Sequence, residues 1–313
     1  MNFPQQISSF DQISWPVRPV HLAIGMFDGV HRGHRTVIGA AQRAARASDG
    51  LSGVLTFWPH PSALFRPAEP TRLLQDGAAK SRMLLAMGID FVVTFPFDQP
   101  FAAVKAEDFL PWLRSRVPHL AAVYVGDNFR FGRGRKGDLA ALEASGRDHG
   151  VAVFHAPRLA HEGEVISSTR IRAMLVAGEM AGANRLLGEP YTAAGLVTAG
   201  KRLGRSIGFP TLNIPWTPSL TPRFGVYAVS VSGEKAPLGL PAVANFGLRP
   251  TVENSLVPRL EAHILGPCPF VEGDQISVAW HHFLRPELKF SGVAELRGAI
   301  DSDRLAALRH FRL

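Results

Sequence analysis

Residues 24–34 of the chain are IGMFDGVHRGH, and they continue the apolar run VHLAI of residues 20–24. An apolar run, a glycine-rich turn and then a helical pattern predict a strand, a loop and a helix that begins near Arg35. Glycines and the N–H groups of a helix N-terminus can hold a phosphate. From this stretch alone, His31 and His34 could hold a polyphosphate, bind a metal, act as a general base or be two surface histidines.

The rest of the first half alternates short apolar runs with helical patterns. This alternation predicts an α/β, Rossmann-like domain in which helices cover both faces of a parallel sheet. Ligands bind such sheets at the carboxyl ends of the strands, so the opening stretch lies where a ligand is expected. The apolar runs that predict strands are VHLAIGMF, SGVLTFW, DFVVTFPF and AAVYVG.

The pattern changes from about residue 190, where short β-rich pieces are broken by Gly and Pro. Such a pattern predicts a compact β-barrel, and GVAELRGAIDSDRLAALRHF predicts a helix at its C-terminal side. We expect the boundary near Leu187 to Pro190, which gives a nucleotidyltransferase-like domain over residues 1–187 and a barrel domain over residues 188–313.

Composition narrows the class of protein. The 313 residues are 46% hydrophobic, enough for two cores, and the formal net charge of +8 suits anionic partners, small phosphorylated ligands as well as nucleic acid. The single cysteine, Cys268, excludes an intramolecular disulfide and a multi-cysteine zinc site and predicts a cytoplasmic protein. Apolar runs all fall short of the roughly 20 residues that span a bilayer, so no membrane partner is expected.

A second motif, ISSTRIR at residues 166–172, decides between the interpretations of the histidines. Hydroxyls at a helix N-cap followed by Arg170 and Arg172 offer hydrogen bonds and positive charge to phosphate oxygens. Alone, the motif would be an ordinary cap with solvated arginines. Two phosphate-binding helix starts are what adenylyl transfer needs, whereas a metal site lacks a clear third ligand. The pair of motifs therefore favours a nucleotide triphosphate site without a Walker lysine.

In these motifs and others, the chain resembles the bacterial bifunctional riboflavin kinase/FAD synthetase family over nearly its whole length. The resemblance implies phosphorylation of riboflavin to FMN by ATP, and then adenylylation of FMN to FAD with release of pyrophosphate. It implies Mg²⁺ as cofactor, ATP as co-substrate and small molecules as the only partners, with no nucleic acid; oligomeric state is not predicted. The matching pieces are GMFDGVHRGH, LTFWPHP, VGDNFRFGRGRKGD, ISSTRIR, GKRLGRSIGFPTLNI, GVYAV, ANFGLRPTV, RLEAHIL and FLRPELKFSGVAEL.

For the first half, the resemblance implies that His31 and His34 clamp the ATP phosphates electrostatically. Because the FMN phosphate is already ionised at neutral pH, this step needs no general base. The GDNFRFG loop is implied to lie near the flavin; the alternative is that its phenylalanines are core and its arginines solvated. The residues expected to bind ATP here are Gly25, Phe27, Asp28, Gly29, His31, His34, Ser168, Thr169 and Arg170, and those expected near the flavin are Asn128, Phe129 and Phe131.

For the second half, the resemblance implies a kinase site. Thr211 and Asn213 lie two apart in an extended segment, so their oxygens face one side and could share Mg²⁺, although both could simply be turn residues. Glu261 is implied as the general base for the riboflavin 5′-hydroxyl; the alternative is an outward-facing strand residue. The residues expected to bind ATP here are Gly200, Arg205, Gly208 and Pro210, and Arg285 is expected near the flavin.

One segment departs from the family. Residues 265–276 are LGPCPFVEGDQI where the family usually has an acidic residue and then Asp-Leu-Tyr-Gly. The departure predicts a changed barrel near its flavin end. The alternatives are an enzyme that only adenylylates FMN, a specialised paralogue acting on a modified flavin, and a non-catalytic flavin- or RNA-binding regulator. The two phosphate-binding motifs argue against the regulator.

Overall fold

The computed structural model describes residues 6–199, 208–250 and 256–312. The chain divides into two compact units, Met1–Ser168 and Thr169–Leu313. The first is built on a parallel sheet and the second on an antiparallel one, which confirms the predicted fold class. Within the described ranges, no helix is both long and apolar enough to cross a membrane.

The first unit contains a six-stranded sheet in the order β1-β4-β3-β2-β5-β6, and every pairing in it is parallel. The strands of this unit are β1 (Gln6–Ile7), β2 (Val20–Ile24), β3 (Leu51–Trp58), β4 (Phe91–Pro96), β5 (Leu120–Gly126), β6 (Ala152–Ala156), and a small hairpin of β7 (Ala160–His161) and β8 (Glu164–Val165). The helices are α1 (Arg32–Ala47), α2 (Pro61–Phe65), α3 (Gly77–Ala86), α4 (Gln99–Ala102), α5 (Ala106–Arg114) and α6 (Leu139–His149).

Apolar side chains cover both faces of this sheet. All five residues of β2 are buried; Leu22 and Ile24 belong to one apolar cluster, and Ala23 belongs to the cluster on the opposite face. Strands buried on both faces are near-continuous hydrophobic runs, as in VHLAI, where His21 is the one polar residue. The chain passes from β2 outward through β3 and β4 and then returns to β5 on the other side of β2. The crevice for a ligand therefore lies at the carboxyl ends of β2 and β5, where the strand order reverses.

The second unit contains a six-stranded antiparallel sheet in the order β10-β13-β12-β11-β14-β9. A bridge between Thr198 and Asn213 joins the segment after β9 to β10, so the two edges of the sheet approach each other as in a barrel. Trp280 is fully buried at its centre, with its ring centroid 4.6 Å from that of Tyr227. The elements are α7 (Ser168–Ala177), α8 (Met180–Leu187), β9 (Tyr191–Leu196), β10 (Leu212–Pro215), β11 (Gly225–Gly233), β12 (Ala236–Pro250), β13 (Leu256–Ile264), β14 (Gln275–Arg285) and α9 (Val293–Phe311).

Helices α7 and α8 contact the barrel, although the sequence predicted them before the boundary. The backbone N–H of Arg223 donates to the carbonyl of Leu175 at 3.0 Å, and the side-chain amide of Asn184 donates to the carbonyl of Trp280 at 2.7 Å. Composition cannot detect such contacts, because it changes only where the β-rich segment begins. The functional boundary near residue 187 stays a prediction.

Candidate active sites

A strained loop of residues 25–31, called the phosphate loop below, joins β2 to α1. Phe27, Gly29 and Val30 have φ angles of 49°, 84° and 39°. Glycine adopts such values freely, but a β-branched valine with positive φ is an outlier that the surrounding structure must hold in place. The Val30 N–H donates to the carbonyl of Phe27 at 3.1 Å, and Arg35 Nε donates to the carbonyl of Val30 at 3.0 Å.

Asp28 anchors the phosphate loop at two points. Its buried carboxylate accepts the backbone N–H of Leu74 at 3.0 and 3.3 Å, and its carbonyl accepts the hydroxyl of Ser168 at 2.9 Å. The structure therefore joins the FDGVHRGH and ISSTRIR motifs directly through Ser168. Thr169 and Arg170 follow in the chain at the start of α7.

His31 is the N-cap residue of α1. Its Nδ1 accepts the backbone N–H of His34 at 3.3 Å, so the helix begins at Arg32 rather than near Arg35 as predicted from the sequence. This cap places His34 in the first turn, where its ring stacks on that of His31 with centroids 3.5 Å apart. Phe27 contacts the His34 ring edge-on at 5.3 Å. The two imidazoles thus form one pair at the helix N-terminus.

The surroundings of His34 favour its neutral form. Burial lowers its pKa well below the usual 6.5, and the positive charges of His31 and Lys80 lower it further. Its Nδ1 is buried without a hydrogen-bond partner among the residues that the structure describes. A negatively charged group beside the ring would favour the charged imidazolium. His34 is thus arranged to gain charge when an anion binds.

Lys80 and Thr56 lie beside the phosphate loop, and the sequence pattern did not single them out. The side chain of Lys80 is 4% exposed, and its pKa falls from 10.5 to about 8 because burial outweighs the opposite effect of Asp28. Its Nζ donates to Thr56 Oγ1 at 2.8 Å. The only hint of it in the sequence was that Lys80 opens an apolar helical run, KSRMLLAMGI at residues 80–89. Its burial becomes evident only once α3 is placed against the sheet.

The GDNFRFG loop follows β5 at the same edge of the sheet as the phosphate loop. Asn128 is exposed, whereas Phe131 is a core residue that packs on Phe109 with ring centroids 5.1 Å apart. Phe129 stacks on Phe131 at 5.5 Å, and Arg130 pairs with Asp138, the N-cap residue of α6. The ring of Phe131 is covered by its neighbours, as in the alternative interpretation of the sequence. The flavin contacts expected of Asn128, Phe129 and Phe131 stay predictions.

A cavity of about 240 Å³ lies within the second unit. Glu261 on β13 is paired in register with Asn213 on β10 and with Asn245 on β12. Side chains directly opposite one another on adjacent strands share a face, so the carboxylate lies between two amides. Thr211, two residues before Asn213, lines the same cavity. The lining residues are Phe209, Thr211, Asn213, Val226, Val243, Asn245, Glu261, His263, Arg285, Glu287, Leu288, Phe290, Leu296, Ile300, Asp303 and Arg304.

His263 fixes the segment that leads into Thr211. It lies two residues after Glu261 on the same strand face, and its Nδ1–H donates to the carbonyl of Pro210 at 2.8 Å. The ring of Phe209 contacts the imidazole edge-on at 5.5 Å. Among the predicted ATP-binding residues, Gly208 and Pro210 lie in this segment, and two others, Gly200 and Arg205, lie outside the described residues.

Arg285 lies at the end of β14 and ties α9 to the cavity wall. Its guanidinium donates twice to the buried carboxylate of Asp303, at 2.8 and 2.7 Å. The carboxylate of Glu287 lies over Gly247. A Cβ added at Gly247 would come within 1.8 Å of Glu287 Oε1, so a larger residue there would displace this carboxylate. Sequence reasoning missed Asn245, His263, Glu287 and Asp303, because only strand register and helix docking bring them to the cavity.

The segment that departs from the family lies away from Arg285. Residues 265–274 connect the end of β13 to the start of β14, while Arg285 lies at the other end of that strand. All ten are described, and none lines the cavity. Phe270 is buried against Gly233. A Cβ added at Gly233 would come within 2.9 Å of the Phe270 ring. An aromatic side chain therefore fills this turn.

The chain matches two family models, FAD synthetase over residues 15–170 and riboflavin kinase over residues 187–311. It is 39% identical over 298 residues to the bifunctional riboflavin kinase/FMN adenylyltransferase of Escherichia coli (strain K12), covering 93% of each chain. Against the protein of the same name from Bacillus subtilis (strain 168), identity is 34%, covering 93% of this chain and 92% of the relative.

A solved structure from Streptococcus pneumoniae, described as a macrolide-efflux protein, is 27% identical with a TM-score of 0.85. The likeness covers 96% of this chain and 97% of that one. On the two family models and these relatives, the chain belongs to the bifunctional riboflavin kinase/FMN adenylyltransferase family.

Proposed function

We propose that the chain phosphorylates riboflavin to FMN in its second unit and adenylylates FMN to FAD in its first. The observation that carries the proposal is the presence of two separate polar sites, each in a segment matched by the family model for one of the two activities. One is the capped histidine pair of the phosphate loop, and the other is the carboxylate of Glu261 between two asparagines.

In adenylyl transfer, a phosphate oxygen of FMN attacks the α-phosphorus of ATP, and pyrophosphate leaves. Nothing in this step requires the protein to remove a proton, so the protein contributes position and charge. The N–H groups at the start of α1 and the imidazoles of His31 and His34 stabilise the departing pyrophosphate. Thr169 and Arg170 add a hydroxyl and a guanidinium to the phosphates, and Asn128 and Phe129 hold the flavin.

In phosphorylation, the 5′-hydroxyl of riboflavin attacks the γ-phosphorus of ATP. Glu261 accepts the hydroxyl proton as the new O–P bond forms and ADP leaves. Asn245 and Asn213 flank the carboxylate and restrict its orientation, and Arg285 borders the flavin.

The donor atoms beside Glu261 fit Mg²⁺. Thr211 and Asn213 offer a hydroxyl and an amide oxygen, which are hard ligands of the kind that Mg²⁺ prefers, while phosphate oxygens and water would complete the shell. Mg²⁺ bound there would neutralise charge on the phosphates. Among the described residues, no group of three or more His, Cys, Asp or Glu side chains could hold a metal ion.

The alternative is an enzyme that only adenylylates FMN. It rests on the departure at residues 265–276; these residues do not line the cavity, which favours the bifunctional enzyme. The single cysteine, Cys268, supports the cytoplasmic location predicted above.

Chromatography of reaction products tests the proposal. Riboflavin with ATP and Mg²⁺ should give FMN and then FAD, and FMN with ATP and Mg²⁺ should give FAD; both reactions should stop without Mg²⁺. FAD from supplied FMN together with no FMN from riboflavin would contradict bifunctionality and select the alternative. The absence of any product from either flavin would overturn the proposal altogether.

A further inference from the structure

Lys80 is a buried cation directly behind the phosphate loop. Its side chain is 4% exposed, and lysine is almost never buried to this degree unless its charge is compensated. No step described above uses it. It lies on α3, at the carboxyl end of β3, and Asp28 supplies the opposite charge.

The ammonium group of Lys80 uses all three of its protons on the protein. Nζ donates to Thr56 Oγ1 at 2.8 Å, to the carbonyl of Met26 at 3.1 Å and to the carbonyl of Phe57 at 3.4 Å. Thr56 Oγ1 in turn donates to the same Met26 carbonyl at 3.1 Å. Since a lysine has three donors and no acceptor, no proton of this group remains for a phosphate. Any effect of Lys80 on ATP must therefore pass through the loop.

The carbonyl of Met26 is the atom of the phosphate loop that Lys80 contacts. The next residue, Phe27, already has a positive φ of 49°, and Gly29 and Val30 follow with the same sign. Such a backbone persists only when neighbouring groups hold it. The carbonyl of Met26 is held by two donors, and both originate from elements outside the loop.

We propose that Lys80 is a positioning residue for adenylyl transfer: its ammonium fixes the Met26 carbonyl and thereby holds the phosphate loop, with His31 and His34, in the conformation that receives ATP. The inference rests on the proposed function of the first unit. It also assigns a role to the charge, because a neutral amine at this position donates less strongly to the Met26 carbonyl.

The charge of Lys80 can be removed by pH, and this separates positioning from simple packing. Burial lowers its pKa to about 8, with Asp28 opposing the shift, and the electrostatic effect of Lys80 in turn reaches His34. If the charge holds the loop, FAD formation from FMN should fall as pH rises through about 8. Riboflavin phosphorylation in the same chain should not share that fall.

The test compares Lys80→Met with Lys105→Met, a control whose exposed lysine side chain contacts Glu107 at 3.4 Å. The kcat and KM for ATP in FAD formation are measured from pH 6.5 to 9.5, with riboflavin phosphorylation and the thermal midpoint followed in parallel. We expect Lys80→Met to lower kcat/KM on the order of 100-fold, the usual effect of misplacing a reacting group, and to lose the fall near pH 8. Phosphorylation should stay within about twofold of wild type, and the control should behave as wild type.

A second variant covers the case in which Lys80→Met does not fold. Thr56→Val keeps the side-chain volume and removes the other donor to Met26, so FAD formation should fall while the descent near pH 8 remains. Wild-type FAD formation without that descent, or a Lys80→Met enzyme with wild-type kinetics, overturns the inference. These outcomes differ from failure of the proposed function, in which the wild type itself forms no FAD from FMN.

Discussion

His31 connects local folding to the proposed chemistry, because it caps α1 and is also the last residue of the phosphate loop. Removing the ring entirely would also remove the cap, which is worth about 1 kcal/mol at a typical helix N-terminus. A useful substitution must therefore keep the cap and delete only the imidazole.

Asparagine meets this requirement, since it is among the preferred N-cap residues. We expect His31→Asn to lower the kcat of FAD formation about 100-fold or more, as for the loss of one group that stabilises transition-state charge. The thermal midpoint and riboflavin phosphorylation should stay near wild type. Unchanged FAD synthesis would remove His31 from the site.

His34 should take up a proton when ATP binds. In the ligand-free site its pKa lies well below 6.5 because of burial and of the charges of His31 and Lys80. Phosphate charge raises that pKa, so at about pH 6.5 the bound state holds more protons than the free state. Calorimetry in buffers of different ionisation enthalpy should show this uptake, and His34→Asn should lose it. Equal uptake in both proteins would contradict the assignment.

Substitution of Glu261 should impair FMN formation and spare FAD formation, the opposite of what is expected for His31. Glu261→Gln keeps the side-chain size and an acceptor between the two asparagines but removes the base. FMN formation should fall about 100-fold or more, the usual range for a general base. FAD formation from supplied FMN should be unchanged, and Glu234→Gln, in the exposed turn between β11 and β12, serves as the control. A Glu261→Gln enzyme with normal FMN formation would contradict the assignment.

At this scale, sequence reasoning found the residues that motifs carry and missed those that only packing brings into place. Glu261, Thr211 and Asn213 were identified from their segments, and their shared cavity follows from strand alternation. Asn245 was missed as a site residue because only the register of β12 on β13 places it opposite Glu261. Lys80 looked like an ordinary helical lysine until α3 was packed on the sheet.

At the scale of elements, the start of α1 shows why patterns misplace helix ends. The apolar periodicity suggested a start near Arg35, but the cap of His31 extends the helix back to Arg32. Side-chain capping is a local contact that periodicity does not contain. The alternation of strands and helices in the first half was, by contrast, enough to predict the parallel sheet, since strands buried on both faces need continuous apolar runs.

A buried ion pair between Arg285 and Asp303 helps to attach helix α9 beside the cavity. Breaking such a pair leaves a charge without its partner, and for Arg285, which keeps part of its surface in water, the expected loss is about 3 kcal/mol of unfolding free energy. We expect Asp303→Asn to destabilise the second unit and to weaken riboflavin binding, as followed by thermal unfolding and flavin fluorescence.

The matched control for that change is Asp301→Asn, which breaks the exposed pair between Asp301 and Arg304 at 3.6 Å on the same helix. Exposed pairs contribute about 1 kcal/mol or less. Similar losses in the two variants would mean that burial of the Arg285–Asp303 pair contributes nothing to the attachment of α9.

At the scale of the whole molecule, the proposed site assignments separate the two activities in chemistry and put them in different units. One site needs a base because a hydroxyl must lose its proton, and the other needs none because its nucleophile is already an anion. The cavity of Glu261 lies wholly within the second unit, and the phosphate loop with its histidine pair lies within the first. A defect in one reaction should therefore leave the other intact.

Mixing the two single-site variants tests this separation. His31→Asn should make FMN from riboflavin and stop there, and Glu261→Gln should make no FMN but adenylylate any that is supplied. Incubated together with riboflavin, ATP and Mg²⁺, they should form FAD after a lag, because FMN made by one protein must first accumulate in solution. Enough added FMN phosphatase should abolish FAD formation in the mixture. If the mixture forms no FAD although each variant keeps its own activity, FMN does not pass through solution, and the two sites do not act independently.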